Sequence, residues 1–224
     1  SVGVAGITRR GSIGLLNVGF HYSGLFWDGR ASTLEELALI PIEDPIEMAE
    51  SWDSVELKLK NHPGYPADFR RAFGIENTSA IDRYLAAKAM AQFLRTIVSG
   101  GNSKYDRAIK GELFLEENEL NGYLMFFNLD PSLPDAQCGH CHNAPLLASN
   151  DFFNNGLQES PDLFGFEDNG LGAITGIAGQ NGFFKPPTLR NLVFSAPYMH
   201  DGRFNTLEEV IDHYTSGGKD SPNK

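Results

Sequence analysis

Apolar positions along this chain recur mainly at helical spacing. Between Ser79 and Val98, residues Ile81, Leu85, Ala89, Phe93 and Ile97 follow one another every four positions. That pattern predicts a long helix with one apolar stripe, ended by Gly100 and Gly101. Thr33 followed by Glu36 is a capping box that opens a short helix to about Leu39. Val55 and Leu57 among charged neighbours predict a helix from Ser51 to about Lys60, and Pro66, near a first turn, opens another to Phe73. Glu117 to Phe127 reads as a further helix. Thr206 and Glu209 form a second capping box, starting a helix that reaches Tyr214. No segment alternates apolar and polar residues over a strand-like length, so the expected fold class is all-α.

The stretch from Asn143 to Pro187 departs from this pattern. It is rich in Gly, Asn, Asp and Phe and shows little period. So much irregular chain needs a surface to pack on, and a large planar cofactor would supply one. The glycines and polar residues from Ser99 to Gly111 separate two helical regions, which suggests domains at 1–110 and 111–224. The 224 residues suffice for one large or two small cores. A formal net charge of -11 disfavours nucleic acid and anionic membranes and favours a basic partner. No apolar run is long enough to span a bilayer.

The only two cysteines lie three positions apart, which excludes a disulfide scaffold. Cys138-Gly139-His140-Cys141-His142 is a C-x-x-C-H run. Two thiols on one helical turn can both reach the vinyl groups of a haem, and the next residue places an imidazole on the iron. A bare C-x-x-C can instead be a redox pair, but no βαβ pattern accompanies it. It can be half of a zinc site, but no second cysteine pair follows. The run therefore reads as one covalent c-type haem site. Bacterial haems of this type are installed outside the cytoplasm, so the expected location is the periplasm.

Several segments then resemble one family in the right order: Phe26-Trp27-Asp28-Gly29-Arg30, Leu34-Glu35-Glu36, Pro41-Ile42, Glu47-Met48, Cys138 to His142, Pro187-Thr188-Leu189-Arg190-Asn191 and Ala196-Pro197-Tyr198-Met199-His200-Asp201-Gly202. The chain resembles the bacterial di-haem cytochrome c peroxidases and their MauG-type relatives. The resemblance implies two cytochrome c-like domains, the first incomplete here, with Cys138–His142 the electron-transfer haem site of the second. A second haem motif is expected upstream of residue 1, and Lys224 falls before the family's usual final helix.

The resemblance also implies roles. Glu47 matches the distal acid that moves a proton between peroxide oxygens; without it, Glu47 reads as a solvated acid beside Glu43, Asp44 and Glu50. Trp27 matches the aromatic residue between the haems, or is a core tryptophan. Arg30, Arg190 and His200 are expected to hold the cofactor, with Arg30 on a propionate or on Asp28, and His200 on a propionate. Tyr214 stands in the slot of the sixth iron ligand, with Met199 its rival; the apolar face of Leu207, Val210, Ile211 and Tyr214 would equally suit a core. Calcium is implied through the carbonyls of Ser195 and Pro197, with Gly11 or Ser12 where relatives place an Asn. The stretch Ser1 to Gly6 lacks the histidine that blocks the peroxidatic iron in many relatives, so no reductive activation is expected. His21, His62 and His213 carry no role.

The implied reaction is reduction of hydrogen peroxide to water with electrons from a small redox protein, a cytochrome c or a cupredoxin, in a protein that is often a homodimer. Two alternatives stand beside it: a MauG-type oxidase that modifies a partner protein, and a pure electron carrier.

Overall fold

The computed structural model describes residues 2–224. Among them there are helices, short 3-10 turns and isolated bridges but no strand, as the missing alternation requires. The first two helices begin on side-chain caps. Helix α1 (Leu34–Glu43) starts where the Thr33 hydroxyl accepts the Glu36 N–H at 3.1 Å. The Glu36 carboxylate accepts from Ser32 N–H at 2.6 Å, one residue ahead of the cap. Helix α2 (Trp52–Asn61) starts on Ser51, whose hydroxyl accepts the Ser54 N–H. Helix α3 (Tyr65–Phe73) carries Pro66 in its first turn, where no backbone donor is needed, and ends at Gly74 with φ 66°.

Helix α4 (Arg83–Thr96) is shorter than its apolar spacing predicts, and its buried face is different. The chain makes a 3-10 turn at Thr78–Ala80 before Asp82 caps α4 by accepting the Leu85 N–H at 2.9 Å. Ile81 and Ala86 pack into one cluster across this start, as a residue before a cap and the fourth residue after it commonly do. The face turned inward carries Ala87, Ala91 and Leu94, whereas Phe93 is 65 % exposed and Ala89 is exposed as well. An unbroken i+4 row drifts about 40° around a helix at each step, so four steps cannot stay on one face. The alternating 4 and 3 spacing of Ala87, Ala91 and Leu94 does stay there.

Both apolar core clusters among the described residues lie before residue 98. One joins Val18, Leu25 and Ala31 to Leu34 and Leu37 of α1 and to Ala91 and Leu94 of α4. The other surrounds Trp52, which is 1 % exposed and donates its indole N–H to the Leu39 carbonyl. The polar stretch from Ser99 to Gly111 is not purely irregular. It contains helix α5 (Lys104–Ile109), opened by a reciprocal Ser103–Asp106 capping box.

Beyond α5 come α6 (Glu117–Phe126), the single turn α7 (Cys138–Cys141), the single turn α8 (Gly172–Thr175) and α9 (Leu207–Thr215). This half is held mainly by polar contacts. Buried Ser149, Gln158, Ser160, Asp168, Asn181, Lys185 and His200 outnumber its buried apolar side chains. The chain's first segment is stitched onto it. Arg10 pairs bidentately with Asp168 at 2.6 and 2.7 Å and also with Asp28. Lys185 N–H donates to the Trp27 carbonyl at 2.9 Å, and Gly11 N–H donates to the His200 carbonyl at 2.7 Å. Buried charges persist only when paired, and this group is paired on every side.

Candidate haem site

The two thiols sit on α7, whose one turn is closed by His142 N–H donating to the Cys138 carbonyl at 2.9 Å. Gly139 lets α7 lie tight against the end of α6. A Cβ there would stand 3.0 Å from the Phe126 carbonyl oxygen and 3.0 Å from the Phe127 ring. Cys138 and Cys141 are half-buried and not joined to each other. Burial pushes both thiols up, and the charge of Asp135 adds to the rise at Cys138.

His142 points one nitrogen into the backbone. Its Nδ1 lies 3.2 Å from the Leu147 carbonyl oxygen. A carbonyl can only accept, so Nδ1 carries the proton and Nε2 keeps its lone pair. Burial also lowers the pKa of this ring, which keeps it neutral. Ligating histidines are oriented in this way by a donated second-nitrogen proton.

Tyr214, on α9, lies close enough to Cys141 and Cys138 for their charges to push its hydroxyl up, after burial itself. It is 46 % exposed and is not a core residue. Ile211 on the same helix face is 59 % exposed. The apolar face of α9 is therefore only partly packed, with Leu207 and Val210 half-buried. The side-chain N–H of Asn155 donates to the Tyr214 hydroxyl oxygen at 3.2 Å and to the Met199 sulfur at 3.5 Å. The rival ligands Tyr214 and Met199 thus flank one amide. The donor set fits a c-type haem: two thiols on one turn, a neutral imidazole beside them, a phenol near them, and a thioether on the same amide as that phenol.

His200 is 4 % exposed and stacks on Phe184 with centroids 3.6 Å apart. Trp27 meets it edge-on at 6.5 Å. Burial pushes the His200 imidazole down to about 4, with Asp201 and Asp168 opposing and Arg10 and Arg203 assisting. Trp27 is half-buried, and its indole N–H donates to the Gly11 carbonyl at 2.9 Å. Gly11 therefore links Trp27 to His200, receiving from one and donating to the other. Of the two tryptophans, Trp52 is the core residue and Trp27 stands at the junction between the halves.

The two arginines are committed within the protein. Arg30 reaches Asp28 at 3.3 Å and covers the Phe26 ring at 3.8 Å from its centroid, which agrees with the Asp28 alternative. Arg190 holds Asp106 with both arms of its fork, at 2.8 and 2.9 Å, and also donates to the Pro145 carbonyl. Ser195 and Pro197 lie on the loop before His200, where the Ser195 hydroxyl donates to the Leu192 carbonyl at 2.8 Å.

Arg190 holds the Asp106 carboxyl well below the usual carboxylate range, helped by Ser103. The unfolded-state value is about 3.9. The pair therefore stabilises the fold above that pH, and its contribution fades as the pH falls below it. Asp106→Asn is expected to cost about 1.5–3 kcal/mol near neutral pH and less at pH 3, where the unfolded carboxyl is largely protonated but the folded one is not. Urea midpoints at the two pH values check this; equal losses at both would contradict it.

Glu47 lies in the turn after α1, far along the chain from the thiols. Its N–H donates to Asp44 Oδ1 at 3.1 Å, and its carbonyl accepts from Val4 at 2.8 Å. The neighbouring acids are occupied. Glu43 pairs with Arg83 at 4.0 Å, Asp44 caps Ile46 and Glu47, and Glu50 pairs with Lys58. Glu47 makes no ion pair among the described residues.

Sequence reasoning missed Asn155, Arg10, Asp168 and Lys185. Asn155 lies in the stretch without period, and no local pattern marks it. Asp28 was visible only as part of a motif. Lys185 is 6 % exposed, with burial pushing its ammonium down to about 8.

Residues 1–113 match the model of the family described as di-haem cytochrome c peroxidase. The chain is 38 % identical over 197 residues to a methylamine utilization protein MauG of Methylorubrum extorquens, covering 88 % of this chain and 52 % of that protein. It is 34 % identical over 192 residues to a cytochrome c551 peroxidase of Nitrosomonas europaea, covering 84 % of this chain and 53 % of that one. A crystal structure of a MauG-like protein associated with microbial copper homeostasis superposes with a TM-score of 0.80 at 30 % identity, covering all of this chain and 68 % of that one. The chain spans about half the length of the curated relatives it matches.

Proposed function

The chain belongs to the di-haem cytochrome c peroxidase family, and on that premise we propose that it is the part of a peroxidase that reduces hydrogen peroxide to water with electrons from a small redox protein. The observation that carries this reading is the α7 turn. Its thiols are unpaired, and the His142 ring is oriented by the Leu147 carbonyl.

Cys138 and Cys141 would hold the haem through thioether bonds, and His142 and Tyr214 would serve as ligands to its iron. A haem so held supplies reversible one-electron chemistry at iron. Residues 1–110 and 111–224 act as two domains joined at the Arg10 and Gly11 contacts. Trp27, fixed by Gly11 and facing His200, lies on the route between them. Glu47 takes a proton from one peroxide oxygen and returns it to the other, so that water can leave. The acidic surface suits a basic donor. No helix among the described residues is long and apolar enough to cross a membrane, and covalent haem attachment supports a periplasmic location.

The test uses the full-length, haem-loaded protein mixed with peroxide and a reduced cytochrome c or cupredoxin. Two equivalents of donor are expected to be oxidised per peroxide. Absence of donor oxidation, with the cofactor fully loaded, would defeat the peroxidase reading. A second reading, oxidation of a residue on a partner protein, is favoured by one observation: a tyrosine, Tyr214, rather than a methionine on the helix facing the thiols. Peroxide consumption that modifies a partner while leaving the reduced redox protein untouched would select it.

A further inference from the structure

Asn155 has a geometry that a merely structural loop residue would not need. A side-chain amide nitrogen has two hydrogens to donate. This one has two acceptors, the Tyr214 hydroxyl oxygen at 3.2 Å and the Met199 sulfur at 3.5 Å. Its backbone is tied to the same helix as Tyr214, because the Asn155 carbonyl lies 2.9 Å from His213 Nε2. The next residue is anchored too. Lys219 N–H donates to the Gly156 carbonyl at 2.7 Å, and Gly156 has φ 66°, with a Cβ there 3.0 Å from the Lys219 carbonyl oxygen. Asn155 and Tyr214 therefore form one unit. Met199 is fixed from its own side, in a left-handed conformation of φ 71° that non-glycine residues rarely adopt.

We infer that Asn155 is a positioning residue for the haem iron: its amide aims the Tyr214 oxygen, stabilises negative charge on it, and holds the Met199 sulfur aside. The inference rests on Tyr214 as the far-side ligand. A hydrogen bond donated to a phenolate oxygen draws charge from the oxygen–iron bond. Its loss leaves the iron more electron-rich and favours the oxidised state.

The experiment measures the reduction potential and ferric spectrum of the full-length, haem-loaded protein in a Met199→Leu background, where the rival sulfur is absent. Adding Asn155→Leu is expected to shift the potential of the Cys138/Cys141 haem downward. Asn155→Ser, too short to reach either acceptor, is expected to give the same fall and guards against a loop that fails to fold around Leu. An unchanged potential in a folded variant would overturn the inference. Tyr214→Phe separates the two layers of the argument. A changed ferric spectrum supports Tyr214 as ligand whatever Asn155 does, and an unchanged spectrum overturns the ligand reading and the inference with it.

Discussion

In the doubly substituted protein, Cys138→Ser with Cys141→Ser, one covalently attached haem fewer is expected to remain after denaturation. The two thiols are the only cysteines in the chain, so no other residue can form the thioether bonds. His142 and Tyr214 could still contact a haem in the folded state, but such contacts dissociate when the chain unfolds. The loss should also weaken the second half of the molecule more than the first. Both apolar clusters lie in the first half, and the second relies on buried polar contacts. A ligand that binds only the folded state stabilises it by mass action, and a covalent one cannot be diluted away. Intact mass under denaturing conditions, with hydrogen exchange across residues 143–187, measures both effects. An unchanged number of covalent haems in the double variant would show that the α7 turn is not the attachment site.

Glu47→Gln in the full-length, haem-loaded protein is expected to lower kcat for peroxide reduction by about 10²–10⁴-fold, with haem content unchanged. Glutamine keeps the shape of the side chain but cannot take a proton. The backbone contacts that hold the turn, from Val4 and to Asp44, do not involve the substituted group. Glu43→Gln and Glu50→Gln are the controls. Their carboxylates are engaged with Arg83 and Lys58 and should leave kcat almost unchanged. If all three substitutions reduced kcat alike, the loop would be acting through its net charge and Glu47 would have no special part.

The helix starts were legible because a cap is a local device. Thr33, Ser51 and Thr206 each satisfy a backbone donor three residues ahead, and the two capping boxes read from sequence begin helices where expected. The long helix was misjudged because a row of apolar residues four apart resembles a stripe but winds around the axis. Only packing against α1 selected Ala87, Ala91 and Leu94 as the inward face. The helix at Lys104–Ile109 was overlooked among polar residues, although Ser103 and Asp106 carried its cap in plain view.

The sequence by itself determined the chemistry of the C-x-x-C-H turn, the all-helical class and the family. All three depend on residues a few positions apart or on motifs in fixed order. Tertiary structure alone decided which tryptophan is core and which stands at the junction. It alone brought Arg190 to Asp106 across 84 positions and Asn155 to Tyr214 across 59. The reason is physical. A turn of helix sets the distance between residues three or four apart whatever surrounds it. Side chains separated by an irregular stretch meet only where the whole chain folds to join them, and no local period records that meeting.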